Sequence, residues 1–383
     1  MTVECTGIST KSKVISTLAP IGNDVDFGCH QINIETSTRA LLERIFFVQQ
    51  GRGFALTPQP EPGAFLRDNL LRFRKKICDQ IGPQAPITEL EYAQSFKGKK
   101  LKIYMAAVES LKVSPIEEKD SYLNAFVKCE KINRTAKLDP APRIIQPRKP
   151  RFNVCLGRYI KPIEHAIYRA IDKVFGSPTV VKGMNAAERG LLLARKWTRF
   201  SDPVAVGIDA KRFDQHVSEP ALNYEHSFYR IIYRRDMFLR MLLRWQIRNV
   251  GFVNCEDGNI TYTIDGGRCS GDVDTSVGNV ILMCGMIYDY MAHTAVDYEL
   301  ADDGDDAILI FERKDLRRLD DLAEYFLQFG CQIARDDPVY ELEHIKFCQC
   351  QPVEVNGSYR MVRDPRTAVA KDLCVTRHSL HIS

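Results

Sequence analysis

The stretch that decides the fold is Ala295-Val-Asp-Tyr-Glu-Leu-Ala-Asp-Asp-Gly-Asp-Asp-Ala-Ile-Leu-Ile-Phe311, because it places four carboxylates between two strand-like runs. Residues 295–300 and 307–311 have the composition of strands, and the turn from Asp302 to Asp306 joins them as a hairpin. Carboxylates this close repel one another and raise one another's pKa unless cations neutralise them. The hairpin therefore predicts a site for hard divalent ions, which prefer oxygen ligands.

A further carboxylate follows another apolar run. Val204-Ala-Val-Gly-Ile208 is typical of a buried strand, and it ends in Asp209, with Asp214 five residues later. Two strands that end side by side can supply bridging carboxylates to a pair of metal ions. Nucleotidyl transfer needs two such ions about 3.5–4 Å apart, one at the attacking hydroxyl and one at the leaving pyrophosphate.

A third pattern lies between these two. Ser270-Gly-Asp-Val-Asp-Thr-Ser-Val-Gly-Asn279 offers a hydroxyl and a flexible glycine on a loop, and it places Thr275 and Asn279 on one face of the following helix. A Gly-Asp-Asp tripeptide alone arises by chance about once in ten chains of this length. Three such motifs in this order are much harder to obtain by accident.

The composition indicates a folded protein. The chain has 383 residues, of which 45% are apolar and 27% charged, which excludes wholesale disorder and fibrous repeats. The longest nearly uncharged stretch, 273–288, is shorter than the roughly 20 apolar residues that span a bilayer, so no transmembrane segment is expected. The amino terminus lacks a secretion signal, which favours an intracellular site. The 12 cysteines include no C-x-x-C pair and are interpreted as small buried residues without metal.

The basic residues are clustered, although the net charge is only +4. Clusters at 97–102, 143–151 and 230–248 fit either solvated faces or a groove that follows phosphates. The proline-rich segment 139–150 predicts an extended, exposed strand or loop that presents several guanidinium groups in a row.

Apolar periodicity predicts the remaining elements. Three prolines predict a loop at 56–63, and residues 261–264 resemble a strand. Helical patterns cover 38–49, 64–81, 104–111, 160–175, 186–200, 220–250 and 275–292.

These motifs together resemble the RNA-dependent RNA polymerases of positive-strand RNA viruses, specifically those of the tombusvirus family and its relatives. The family's first motif, D-x-x-x-x-D, matches Asp209 and Asp214, and its third, G-D-D, matches Gly304, Asp305 and Asp306. Its second, S-G-x-x-x-T-x-x-x-N, is matched by Ser270, Gly271, Thr275 and Asn279.

The resemblance extends on both sides of these motifs, from about Thr38 to Val353. Residues 347–353 resemble the primer-grip hairpin of the family. Residues 126–133 and 142–148 resemble the fingers motif that holds the incoming triphosphate, and the matching cations are Lys128, Lys131, Arg143 and Arg148.

The resemblance implies a role for each matching residue. Asp209 and Asp305 are expected to bind two Mg²⁺ ions, for which Mn²⁺ can substitute, and Asp306 is expected to be an auxiliary catalytic ligand or a residue that supports the ligands. Asp214, Ser270 and Asn279 are expected to read the ribose 2′-hydroxyl, in a substrate-binding set that also includes Gly271 and Thr275. Lys346 and Arg335 both remain candidates for protonating the pyrophosphate.

The implied fold is α+β with right-hand polymerase architecture: an antiparallel palm sheet, helical fingers and a short or truncated thumb. The expected divisions are fingers at 1–200, including the basic motif at 126–148, palm at 201–214, a fingers insertion at 215–262, palm at 263–353 and the start of a thumb at 354–383. The thumb is expected to be short or absent, because only about 30 residues follow Val353.

The implied function is template-directed RNA synthesis for replication of a positive-strand RNA virus genome. The expected partners are a single-stranded RNA template, nascent RNA and ribonucleoside triphosphates, with an accessory viral replication protein as the link to host membranes. The expected location is the host cell cytoplasm, at membrane-associated replication complexes.

Three alternatives stay open at this point. A reverse transcriptase usually has an aromatic residue and a variable residue before its paired aspartates, where this chain has Gly304. A catalytically silent RNA-binding or scaffold protein is compatible with a missing thumb. A nuclease or calcium-binding protein uses clustered carboxylates, but neither explains residues 270–279. Four other acidic residues are interpreted as solvated turn residues or loop formers: Asp272, Asp274, Asp302 and Asp303.

Overall fold

The computed structural model describes residues 1–8, 10, 13–17, 25–51 and 53–378. The helices of this part are α1 Ile34–Leu41, α2 Asp68–Ile81, α3 Glu89–Gln94, α4 Gly98–Val113, α5 Pro150–Phe175, α6 Ala186–Trp197, α7 Phe213–His216, α8 Glu219–Ile232, α9 Met237–Arg244, α10 Thr275–Thr294, α11 Leu322–Leu327 and α12 Pro365–Asp372. Its strands are β1 Thr2–Cys5, β2 Lys13–Thr17, β3 Phe27–Gly28, β4 Phe47–Gln50, β5 Gly53–Leu56, β6 Leu123–Val127, β7 Ile132–Asn133, β8 Ile144–Ile145, β9 Pro203–Ala210, β10 Arg248–Cys255, β11 Gly258–Asp265, β12 Tyr298–Asp302, β13 Asp306–Glu312, β14 Ile333–Arg335, β15 Cys350–Val355, β16 Ser358–Arg363 and β17 Cys374–His378.

The sheet that carries the acidic motifs has four strands in the order β12-β13-β9-β14, all antiparallel to their neighbours. We call it the carboxylate sheet. Because β13 pairs directly with β9, Asp306 at the start of β13 lies opposite Asp209 near the end of β9. The predicted hairpin and the predicted strand ending in Asp209 are thus both present.

Both faces of the carboxylate sheet are buried, which explains why its two central strands are continuous apolar runs. Side chains alternate between the faces of a strand. Ala307, Leu309 and Phe311 accordingly join the large core formed with α2, α5, α8 and α10. Ile308 and Ile310 join a smaller core with α6 and the β15–β16 hairpin. Burial on both faces fixes the register of β13, since a slip of one residue would exchange the two cores.

A second sheet gathers distant parts of the chain. It has the strand order β1-β11-β10-β6-β8, with β10 parallel to β6 and the other pairs antiparallel. The amino-terminal strand β1 pairs with β11, more than 250 residues later in the chain. The region 215–262 is therefore joined by its strands to the amino-terminal third.

Several predicted elements differ from the observed ones. Residues 220–250 form two helices and the start of β10 instead of one helix, because Arg234 and Arg235 adopt left-handed backbone conformations and Asp236 caps α9. Within 38–49, α1 ends at Leu41, and a π-helical turn leads into β4. The helix predicted at 160–175 begins earlier, at Pro150, where a proline without an N–H is well accommodated.

The chain is thus a mixed α+β protein, as predicted. The segment 56–63 contains no helix, as its prolines indicated, and helices at 68–81, 186–197 and 275–294 match their apolar periodicity. Among the described residues, no helix is both long enough and apolar enough to cross a bilayer. Residues 9, 11, 12, 18–24 and 379–383, which belong to the predicted first and last divisions, lie outside the described part, as does residue 52.

Candidate active site

The acidic motifs meet at one edge of the carboxylate sheet. Asp209 faces Asp306 across the β9–β13 pair, and the N–H of Ala210 donates to the carbonyl oxygen of Asp305 at 3.0 Å. Gly304 lies in the turn with φ +100°, a conformation that favours glycine. Asp209 and Asp305 keep accessible side chains, although β13 and β14 flank Asp209 and partly shield it from water, whereas Asp306 is partly buried. The predicted catalytic residues are therefore neighbours on adjacent strands.

Negative charge dominates at this edge, although Lys137 and Lys211 oppose the rise in the pKa of Asp209. Burial raises the pKa of Asp209, and the nearby carboxylates of Asp305 and Asp336 add to the effect. Burial also raises the pKa of Asp306, to about 6, although the N–H of Cys348 donates to its Oδ2 at 2.7 Å and opposes the shift. Negative charge is disfavoured at this edge in the protein alone, so a bound cation would be stabilised there.

The carboxylates fit a magnesium site that is completed by substrate. Within the described residues, no three Asp, Glu, His or Cys side chains converge into a preformed metal cage. Mg²⁺ is commonly held by one or two carboxylates together with substrate phosphates and water, so a preformed cage is not required. Asp209 and Asp305 are the two residues whose oxygens and mutual repulsion suit this arrangement.

A large cavity opens beside these carboxylates. Its volume is about 1130 Å³, and Asp209, Asp214, Ser270 and Asp305 are among its lining residues. Its walls are rich in cations, which would attract a polyanionic substrate. The basic lining residues are Arg39, Arg44, Lys137, Arg143, Lys211, Arg212 and Arg268.

The residues predicted to read the ribose lie together, and two of them, Asp214 and Ser270, line this cavity. Asn279 is the fifth residue of α10, and its Nδ2 donates to Oδ1 of Asp214 at 3.3 Å. The Ser270 hydroxyl also bonds to Asp214 and helps to stabilise its charged form, whereas burial raises the pKa of Asp214. A hydroxyl, an amide and a carboxyl are thus grouped beside Asp305, which further raises the pKa of Asp214.

Two other members of the predicted substrate set shape the loop. Gly271 has φ +120°, and its position lies against the backbone of Pro147, so this backbone conformation favours glycine. The Thr275 hydroxyl lies 3.4 Å from the carbonyl oxygen of Cys269, within the same loop. A direct substrate contact of Thr275 stays a prediction.

Two buried ion pairs, which the sequence analysis missed, hold the loop 268–275. Arg268 pairs with Glu225 of α8, and its Nε donates to Oδ1 of Asn279 at 3.1 Å. On the other side of the loop, Arg148 pairs with Asp272 through bonds of 2.7 and 3.0 Å. Gln246 connects the two pairs, since its amide nitrogen donates to both Asp272 and Asp274, and Asp274 lies 4.0 Å from the guanidinium of Arg268. The loop clamp is the name we give to this set of six residues: Arg148, Glu225, Gln246, Arg268, Asp272 and Asp274.

The prediction that Arg148 is exposed is therefore wrong. Only 3% of its surface is accessible, and it also donates to Oδ1 of Asn249 at 2.7 Å and to the carbonyl oxygen of Ser121 at 2.7 Å. A triphosphate contact of Arg148 would require these buried bonds to break, which carries a large desolvation penalty. The interpretation of Asp272 and Asp274 as simple loop formers is likewise wrong, because both are buried in the loop clamp.

The other predicted triphosphate ligands differ in position. Arg143 lines the cavity, 53% of its side chain is exposed, and its one ion pair is a 3.3 Å contact with Glu130. Lys128 contacts the same Glu130 at 3.3 Å. Lys131 donates to the carbonyl oxygen of Lys371 at 2.6 Å, and neither lysine lines the cavity. Of the four cations, Arg143 is the one that the fold presents to the cavity.

Buried and paired side chains support the turn between β12 and β13. The interpretation of Asp302 and Asp303 as solvated is therefore wrong. Asp302 is completely buried, and its Oδ2 accepts the N–H of Gly304 at 3.2 Å. Asp303 pairs with Lys182 at 3.0 Å and with Arg189 at 3.1 Å. Cys348, in the turn before β15, donates its thiol to Asp303 at 3.0 Å.

Little in the sequence could have identified these supporting residues. Cys348 contacts Asp306 through its backbone, which any residue type except proline provides. The sequence signal for Glu225 was its place within a helical pattern that otherwise buries apolar side chains, but its partner Arg268 is 43 residues away.

The comparisons with known proteins agree with this geometry. The chain is 45% identical over 370 residues to the RNA-directed RNA polymerase of Tomato bushy stunt virus (strain Cherry), an alignment covering 96% of this chain and 45% of the relative. It is 42% identical over 368 residues to that of Tobacco necrosis virus (strain A), covering 96% and 51%, and 40% identical over 363 residues to that of Turnip crinkle virus, covering 94% and 46%. The chain thus spans about half the length of these relatives. Because the model of the family described as viral RNA dependent RNA polymerase matches residues 1–382, the chain belongs to that family.

Proposed function

We propose that this chain carries the catalytic region of an RNA-directed RNA polymerase, which transfers nucleotides from ribonucleoside triphosphates to the 3′-hydroxyl of RNA on an RNA template. The observation that carries the proposal is the meeting of two groups at one cavity. Asp209 and Asp305 form an edge of mutually repelling carboxylates, and Asp214, Ser270 and Asn279 form a polar cluster beside it.

The family implies the right-hand polymerase fold, and we assign its parts as follows. The carboxylate sheet would be the palm, built from 201–214 and 263–353. The fingers would comprise 1–200 and the insertion 215–262, whose association is supported by the pairing of β1 with β11 and of β6 with β10. Residues 354–383 would begin a thumb; in the described part they contain β16, α12 and β17, and β17 pairs with β2.

The proposed metals are two Mg²⁺ ions, replaceable by Mn²⁺, held by Asp209 and Asp305 with help from Asp306. When bound, such ions supply Lewis-acid stabilisation of the attacking 3′-oxygen and of the leaving pyrophosphate. The rigid β9–β13 pair supports this role, because it holds the carboxylates in register before substrate arrives.

The remaining residues bind and orient substrate. Arg143 and the other cavity cations attract the triphosphate. Asp214, Ser270 and Asn279 bond the 2′-hydroxyl, which is both a donor and an acceptor, and a deoxynucleotide would leave these polar groups unpaired. The contributions of Lys128, Lys131, Gly271 and Thr275 are proposed on the family motifs alone.

The wider context is also proposed. The relatives are named as RNA-directed RNA polymerases of viruses such as Turnip crinkle virus, and the family resemblance implies that the template would be a positive-strand viral genome. The enzyme would act in the host cytoplasm at membrane-associated replication complexes, to which an accessory viral protein would connect it.

The proposal is tested by incorporation of labelled ribonucleotides by the purified chain on a primed single-stranded RNA template, with Mg²⁺ or Mn²⁺. We expect the wild type to extend the RNA and Asp305→Asn to fail, since the substitution removes a metal ligand but keeps the size of the side chain.

Asp79→Asn is the matched control. Asp79 lies on an exposed part of α2, where it pairs with Lys75 one turn away, and such pairs contribute little to stability. This variant should extend RNA like the wild type. Extension that persists in Asp305→Asn, or its absence in the wild type with both metals, would contradict the proposal.

A further inference from the structure

The orientation of the Asn279 amide is set by Arg268. Arginine has donors and no acceptor, so the atom of Asn279 that faces the Arg268 Nε at 3.1 Å must be the carbonyl oxygen. The amide nitrogen is then directed to Asp214, whose Oδ1 lies 3.3 Å away. The amide thereby bonds the carboxylate of Asp214, a residue that lines the cavity. Without Arg268, the carbonyl oxygen of Asn279 would lose its buried donor, and the amide would be held by Asp214 alone.

Arg268 is itself held on several sides. Its guanidinium is buried against Glu225, and Glu225 also accepts the Tyr229 hydroxyl at 2.8 Å. Gly278 of α10 leaves the space that the ion pair occupies, because a Cβ at this position would overlap both Arg268 and Glu225. The N–H of Arg268 donates to the carbonyl oxygen of Asp214 at 2.8 Å. The ion pair therefore lies directly behind the sugar-reading residues.

We propose that Arg268, paired with Glu225, is a positioning residue that determines the selectivity for ribonucleotides through Asn279. The proposal rests on the proposed function. Arg268 keeps the Asn279 amide nitrogen directed at Asp214, which lines the cavity, so that a 2′-hydroxyl bound at Asp214 meets an amide donor and a deoxynucleotide does not gain this bond. Loss of this orientation weakens use of ribonucleotides more than use of deoxynucleotides, since only the former gain the bond.

The loop clamp offers a matched control. Arg148 is also a buried arginine in a bidentate carboxylate pair, and it holds the other side of the same loop, but it makes no bond to Asn279. Arg268→Lys and Arg148→Lys both exchange the planar guanidinium for a smaller ammonium group that cannot form the same fork. Both are expected to lower the melting temperature, and only Arg268→Lys should change sugar selectivity.

The experiment measures kcat/KM for single-nucleotide incorporation of CTP and of dCTP opposite a template guanine. In Arg268→Lys, the dCTP-to-CTP ratio of kcat/KM should rise roughly tenfold, the effect of one hydrogen bond to a polar substrate group. In Arg148→Lys, both values should fall by the same factor, which leaves the ratio unchanged. A purely structural role of Arg268 would reproduce the Arg148→Lys result.

Gly278→Ala provides a second test of the same inference if the Arg268→Lys variant does not fold. The added methyl group displaces the ion pair without removing any charge, so the ratio should again rise. Gly285→Ala, in the same helix, places its Cβ at 3.3 Å from a flexible end of Leu70 and should leave the ratio unchanged.

Wild-type ratios in both Arg268→Lys and Gly278→Ala, with RNA synthesis intact, would overturn the inference while leaving the proposed function standing. A wild-type chain that incorporates neither nucleotide would instead remove the proposed function, and this inference with it.

Discussion

Two groups of charges lie near Asp214, Ser270 and Asn279, and they differ in how their charges are compensated. At the carboxylate edge, Asp209 and Asp305 face a cavity, and Asp305 raises the pKa of Asp209 by repulsion. In the loop clamp, Arg148 and Arg268 are buried together with Asp272 and Glu225 as bidentate partners. The carboxylate edge keeps negative charge that a bound cation can neutralise, whereas the charges of the loop clamp pair with one another within the fold.

This difference shows how charged residues that bind a ligand can be distinguished from charged residues that support the fold. Charges left without partners at a cavity raise the free energy of the protein alone and are retained for binding. Buried and fully paired charges add little net stability but become strongly destabilising when one partner is removed. Substitutions at the two groups should therefore separate activity from stability.

The largest expected effect is on catalysis. Asp209→Asn should lower the rate of RNA synthesis by about a thousandfold or more, because a shared metal ligand is lost. Its melting temperature should equal or exceed that of the wild type, since burial and Asp305 disfavour the charge that is removed. Primer extension measures the rate, and thermal denaturation in the absence of divalent ions measures the melting temperature. A variant that is inactive because it is unfolded would contradict this prediction.

The next largest effect is on stability. Asp272→Asn should lower the free energy of unfolding by roughly 4 kcal/mol, because Arg148 is left as a buried charge without its carboxylate. Urea denaturation followed by circular dichroism measures this change. Arg199, whose partner Asp297 is exposed, supplies the control: Asp297→Asn should change the free energy of unfolding by less than about 1 kcal/mol. Equal effects of the two substitutions would show that burial is not the cause.

The loop clamp should also make stability depend on pH. Burial and the charge of Glu225 raise the pKa of Asp274 from 3.8 to about 7, so the folded protein binds more protons than the unfolded chain between these values. Stability therefore falls as pH rises from about 4 to 7. The asparagine of Asp274→Asn does not titrate. The free energy of unfolding of this variant, relative to that of the wild type, should therefore rise across this window, by on the order of 2 kcal/mol at pH 8. The free energies of unfolding of the two proteins are measured by urea denaturation from pH 4 to 8. A constant difference between them over this range would refute the assignment.

The smallest effect concerns the basic segment. Arg143→Gln should raise the KM for nucleotides by about tenfold, because the fold presents this cation to the cavity. Lys131→Gln should raise the KM less, since Lys131 bonds to Lys371 and does not line the cavity. Steady-state incorporation at varied nucleotide concentration measures both. A larger effect at Lys131 would mean that the segment rearranges around the bound triphosphate.

Much of the site was predictable because its signals are local. The apolar runs before Asp209 and after Asp306 predicted strands, and the observed β9 and β13 pair so that these carboxylates meet. The periodicity after Ser270 likewise predicted the helix that carries Asn279. The error at 220–250 arose where two arginines adopt left-handed conformations, which helical periodicity does not reveal.

The sequence by itself determined which residue types reach the site: carboxylates at strand ends, a hydroxyl on a glycine-containing loop and an amide on the next helix. Only the tertiary structure decided which cations support the site and which face the cavity. Arg143 and Arg148 are close in one basic segment, yet one is exposed and the other is paired with Asp272, 124 residues away. The physical reason is that spacing reports local conformation, whereas burial and pairing depend on which distant segments pack together.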